Sequence, residues 1–176
     1  MAAIFAFRCS CCGARHEGAP SIGFDAPHHY AELDEAERAA MARLDSDLCT
    51  IDHGDRRDHF VRACLEVPIV GHDEAFVWGV WVSLSAANFA RYRETWDAPD
   101  PEDRYFGWFC NRLPGYPDTL NLKTLVHPRR AGLRPWVELE PGGHPLAIDF
   151  HDGLTVSRAQ ALAEAALHPG PGAPAG

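Results

Sequence analysis

Polar and apolar residues alternate along Phe60 to Val70: Val61, Ala63, Leu65 and Val67 point one way, Arg62, Cys64 and Glu66 the other. That period of two is the signature of a half-buried strand. The same period starts at Asp47, where Leu48, Thr50 and Asp52 alternate with Cys49 and Ile51, and a turn at His53-Gly54-Asp55 joins the two runs into a hairpin with one wet face. The next run, Phe76 to Leu84, is apolar on both sides (Phe76, Trp78, Val80 and Val82 against Val77 and Trp81). A strand of that kind lies in the middle of a sheet with something packed over each face.

Helical spacing occurs three times. Glu32 to Leu44 places Leu33, Ala36, Ala40 and Leu44 on one face. Ser85 is an N-cap for Ala86 to Trp96, with Phe89, Tyr92 and Trp96 on one stripe. Ser157 with Gln160 matches a capping box ahead of a last helix, Ala159 to Leu167. Shorter strands are expected at Ile4 to Arg8, Leu120 to His127 and Pro135 to Glu140. Residues 17–30 read as a Gly- and Pro-punctuated loop, and His144 to Phe150 as a short apolar run after the Pro141-Gly142-Gly143 turn. Together these elements predict an α+β fold: a mostly antiparallel sheet, two to three helices and an N-terminal zinc-knuckle-like segment. Residues 1–167 read as a single domain and 168–176 as a disordered tail, because Pro169 to Gly176 holds only Pro, Gly and Ala.

Charge narrows the function. The net charge is −9, from 16 basic residues scattered among 25 acidic ones, which argues against a nucleic-acid partner. No stretch approaches the roughly 20 apolar residues of a membrane helix. Met1 to Phe7 is too short for a secretory signal, so the expected location is the cytoplasm. There the six cysteines are expected to be reduced, some of them holding metal.

The chemistry-bearing run is Cys9-Ser10-Cys11-Cys12-Gly13, with His16 four residues after Cys12. Two thiolates three positions apart, turning at a glycine, form half of a zinc knuckle. A structural zinc wants four donors in a tetrahedron. Cys9, Cys12 and His16 supply three, Cys49 is the expected fourth, and Cys11 is the rival to either knuckle cysteine. A dithiol reading of Cys9 and Cys12 lacks the helix that follows such a motif in thioredoxin-like proteins. Nucleophilic alternatives pair Cys49, Cys64 or Cys110 with a histidine, with Asp47 and Asp52 as acid and base. Cys64 and Cys110 also fit simple packing roles. A groove beside Trp108, Tyr116 and Asn111 is the expected place for a ligand.

Several motifs occur in one order. After the cysteine run and His16 come Ser46-Asp47-Leu48-Cys49, Trp78-Gly79-Val80-Trp81-Val82-Ser83-Leu84-Ser85 and Phe106-Gly107-Trp108. Leu113-Pro114-Gly115-Tyr116-Pro117, Leu120-Asn121-Leu122-Lys123, Arg134-Pro135 and His144-Pro145-Leu146-Ala147 follow. Over roughly residues 5–165 the chain thereby resembles a bacterial family known as domain of unknown function 2199. The resemblance implies a small bacterial cytosolic protein and carries no activity, substrate or catalytic residue with it. The reading that follows is a zinc-stabilised module that binds a protein or small-molecule partner. The alternative is a small Cys/His-dependent hydrolase or transferase.

Overall fold

The computed structural model describes residues 5–168. The expected start of the first strand at Ile4 and the expected tail at 169–176 lie outside the described residues. The spine is an antiparallel pair, β6 (Arg57–Pro68) and β7 (Ala75–Leu84), in register from His59 opposite Leu84 to Pro68 opposite Ala75. Alternation decides what each face does. Val61, Ala63, Leu65 and Val67 on β6, with Phe76, Trp78, Val80 and Val82 on β7, line the main core. Trp81 leaves β7 on the reverse face and anchors a smaller second core with Ala42, Cys49, Ile51, Phe60 and Cys110. The doubly apolar strand is therefore covered on both sides, as its composition predicts.

From β7 the sheet runs antiparallel through β8 (Tyr105–Phe109), β9 (Lys123–His127) and β10 (Trp136–Leu139). β10 then returns to β6, with Trp136 paired in parallel to Cys64, and the five strands close into a barrel. β6 is long enough to serve two neighbours along one edge: β5 (Leu48–Asp52) pairs with Arg57 to Val61, and β10 sits further along. β4 (Ala42–Leu44) extends the sheet from β5, and β3 (Ser21–Gly23) lies parallel to β7. Gly107 allows the barrel to close tightly, since a Cβ there would lie 2.5 Å from both the Ser83 carbonyl and Val82 Cγ1.

The architecture is thus a mixed α/β one, and it corrects the expected α+β sheet in two ways. Two pairings, β3–β7 and β10–β6, are parallel. The described residues hold five helices, not two or three. The expected helix from Glu32 to Leu44 breaks up. It gives α2 (Glu35–Met41) and strand β4, while a separate short helix, α1 (His28–Ala31), forms ahead of it. Asp34 restarts the helix: its Oδ1 accepts from Glu37 N (2.8 Å) and its own N–H donates to Glu37 Oε2 (2.9 Å), a capping box. Ala42 then turns extended to pair with Ile51, which ends the helix early. Within the stretch expected to be loop β3 also forms, and β2 (Arg15–Glu17) forms at its leading edge.

Downstream, Ser85 caps α3 (Ala86–Glu94) as expected, and Phe89 and Tyr92 are buried. The apolar run after residue 144 becomes α4 (Pro145–Asp152), with His144 Nδ1 accepting from Leu146 N at 3.1 Å and Pro145 pre-set at the first position. The last helix, α5 (Val156–Leu167), is capped by Thr155 and not Ser157. Its inner face, Ala159, Leu162 and Ala163, joins the main core. No helix among the described residues is long and apolar enough to cross a membrane.

Candidate metal centre

β1 (Ala6–Arg8) and β2 form a separate antiparallel hairpin, with Phe7 opposite His16. Cys9 N donates to Ala14 O (2.8 Å) and Gly13 N to Cys9 O (2.9 Å), so residues 9–14 form a tight loop. Gly13 sits at φ +74°, the left-handed conformation that glycine adopts freely. Alternation along β1 puts Cys9 on the face of Phe7, and cross-strand pairing puts His16 on that face too. The Phe7 and His16 rings stack at 5.0 Å. Phe5, Phe7 and Cys9 are buried in the main core, and through them the hairpin docks on the barrel.

This loop brings together Cys9, Cys12 and His16, whose donor atoms all lie within 4.8 Å of one another. Around a tetrahedral zinc such donors stand about 3.5–3.8 Å apart, so the three are close enough to share an ion. Three further features fit a cation. The Cys9 thiol is pushed up by burial, but backbone N–H groups of Cys12 and Cys11 aim at its sulfur and the net effect lowers it, favouring thiolate. The Nε2 atom of His16 is buried and has no hydrogen-bond partner. Two thiolates with a neutral imidazole also balance a divalent charge, as a partly buried site requires. The Cys9-Cys12-His16 group is therefore able to hold a metal ion.

Cys49 lies elsewhere. The alternation that turns its sulfur away from the Leu48 face holds, but that direction leads into the second core, next to Phe60, Trp81 and Cys110, whereas the knuckle docks on the first. Burial pushes the Cys49 thiol up to about 12, and the Cys110 thiol to about 11. Cys110 Sγ donates to the Trp108 carbonyl at 3.1 Å. Asp47 and Asp52 do not form an acid and base around Cys49. Burial raises the Asp47 carboxyl, but Arg134 Nε (2.7 Å) and the Ser46 hydroxyl outweigh it and hold it low. Arg57 holds Asp52 low in the same way. The Asp47–Arg134 pair also ties the Ser-Asp-Leu-Cys motif to the Arg-Pro motif that opens β10.

The residues of the expected aromatic groove do three separate jobs. Asn111 is buried, accepting from Trp81 N (2.7 Å) and donating to Ala26 O (3.0 Å). Tyr116 donates to Asp149 Oδ2 at 2.8 Å under the Arg158 guanidinium. Trp108 faces outward beside Phe106 on β8.

What reasoning from the sequence missed is the clamp on the knuckle. Glu164 accepts from Ser10 N (2.6 Å) and Ser10 Oγ (2.7 Å), while Gln160 Nε2 donates to Arg8 O (3.1 Å) and to Glu164 Oε1 (3.0 Å). The i, i+4 spacing of Gln160 and Glu164 was the available signal, but nothing local pairs it with residues more than 150 positions away. No curated protein and no solved structure matches the chain. A family model does, over residues 8–154, which takes in all three clustered donors. The chain belongs to that family, domain of unknown function 2199, described as an uncharacterized protein conserved in bacteria.

Proposed function

We propose that this is a zinc-stabilised binding module of the bacterial cytoplasm, acting on a protein or small-molecule partner. The observation that carries the reading is the convergence of Cys9, Cys12 and His16 on one point. Zinc is the ion that suits two thiolates and an imidazole near a tetrahedral arrangement. All six cysteines are free of disulfides, in keeping with a reducing compartment. A partner surface is available on the outside of β8 and β9, where Phe106, Trp108 and Leu125 are 44%, 41% and 37% exposed. The competing hydrolase or transferase reading needs an activated thiol at Cys49 or Cys110, and both are buried with their pKa values raised.

Thermal melting before and after a strong chelator tests the module. Removal of the ion is expected to lower the melting temperature, because a ligand that binds only the folded chain stabilises it. An unchanged melt after complete metal removal counts against it.

A further inference from the structure

The three donors leave a tetrahedral ion one position short. Among the described residues, no other Cys, His, Asp or Glu places a donor atom within 4.8 Å of all three. Residues 1–4 and 169–176 contain none of these four residue types. Glu164, the carboxylate beside the loop, already gives both oxygens to Ser10. Cys49 is in the second core. Cys11 is exposed and its thiol meets the Cys9 sulfur, yet it stands outside the mutual cluster. Cys9 is buried and His16 half-buried, whereas Cys12 is exposed, so the free side of the cluster is the side of Cys12.

Sites with three protein donors keep an exchangeable fourth position, unlike closed structural sites. A sulfur-rich donor set favours a soft incoming ligand. Resting on the zinc reading above, we infer that the ion presents its fourth position to solvent beside Cys12 and takes up a thiolate there. In that exchange a metal–water bond breaks and a metal–sulfur bond forms. The thiol proton passes to solvent, and no electrons change hands. The thiolate comes either from a small thiol or from a cysteine of a partner protein.

Cobalt(II) substitution tests this, because the near-ultraviolet sulfur-to-cobalt band grows with the number of bound thiolates. Wild-type protein and Cys11→Ser are loaded with cobalt and titrated with 2-mercaptoethanol, and separately with a short peptide containing one cysteine. Both proteins are expected to start with equal intensity and to rise saturably by about half, from two thiolates to three, with cobalt retained. Saturation at lower peptide than 2-mercaptoethanol concentration identifies a partner cysteine as the source; the reverse order identifies a small thiol. Two results overturn the inference while leaving the metal site intact: a Cys11→Ser protein that starts about a third lower, which makes Cys11 the fourth donor, or a band indifferent to both thiols. Absence of any sulfur-to-cobalt band removes the metal site itself, and the inference with it.

Discussion

Glu164 holds Ser10 with both carboxylate oxygens, one on the backbone N–H at 2.6 Å and one on the hydroxyl at 2.7 Å. Ser10 lies inside the Cys9-to-Cys12 loop, and Glu164 lies on α5, beyond the end of the family match at residue 154. The final helix therefore fixes the loop whose sulfurs converge. Partners of this kind, one step removed from the donors, commonly govern metal affinity.

Glu164→Ala is accordingly expected to weaken zinc binding about tenfold while leaving the chain folded. Competition against a chromophoric chelator measures the change. Affinity equal to wild type shows that the hairpin alone shapes the loop.

Much of the fold was legible because it rests on local alternation. Val61, Ala63, Leu65 and Val67 face the core as their spacing predicts, and Trp78 and Trp81 enter different cores. What was not legible depends on distant partners. Ala42 to Leu44 carries a helical pattern, but pairing with β5 makes it a strand. The barrel closes through a parallel contact between Trp136 and Cys64, 72 positions apart, that no periodicity encodes. At the site, Cys9, Cys12 and His16 were found from spacing within a few residues, whereas the placement of Cys49 turned on which core its strand face reaches.

Thiol reactivity separates binding module from thiol enzyme. With metal bound, an aromatic disulfide reagent is expected to modify exposed Cys11 quickly, and buried Cys49 and Cys110 only on unfolding. Mass mapping of the modified peptides reads the order. Rapid labelling of Cys49 or Cys110 in folded protein favours the enzyme.

The Asp47–Arg134 pair predicts a defined pH response. The Asp47 carboxyl is held below its ordinary value of 3.8 in the folded chain, so its contribution is present above that value and lost as pH falls through the folded pKa. Asp47→Asn is expected to cost about 1 kcal/mol at pH 7, modest because Arg134 is partly exposed. The gap to wild type should narrow as pH drops below about 4. Urea unfolding across pH checks it; a gap that does not change with pH contradicts it.

Gly107→Ala forces a methyl group to 2.5 Å from the Ser83 carbonyl and Val82 Cγ1. Separating β7 from β8 to relieve that contact is expected to cost about 1–3 kcal/mol, read as a lower urea midpoint. An unchanged midpoint shows that the strands part without penalty.

The most direct measurement is the metal content of protein purified without chelator, for wild type, Cys9→Ser/Cys12→Ser and Cys49→Ser. About one zinc per chain in wild type and in Cys49→Ser, with almost none in the double variant, is the predicted result. A wild-type chain free of transition metal, or a double variant that keeps its full load, contradicts it.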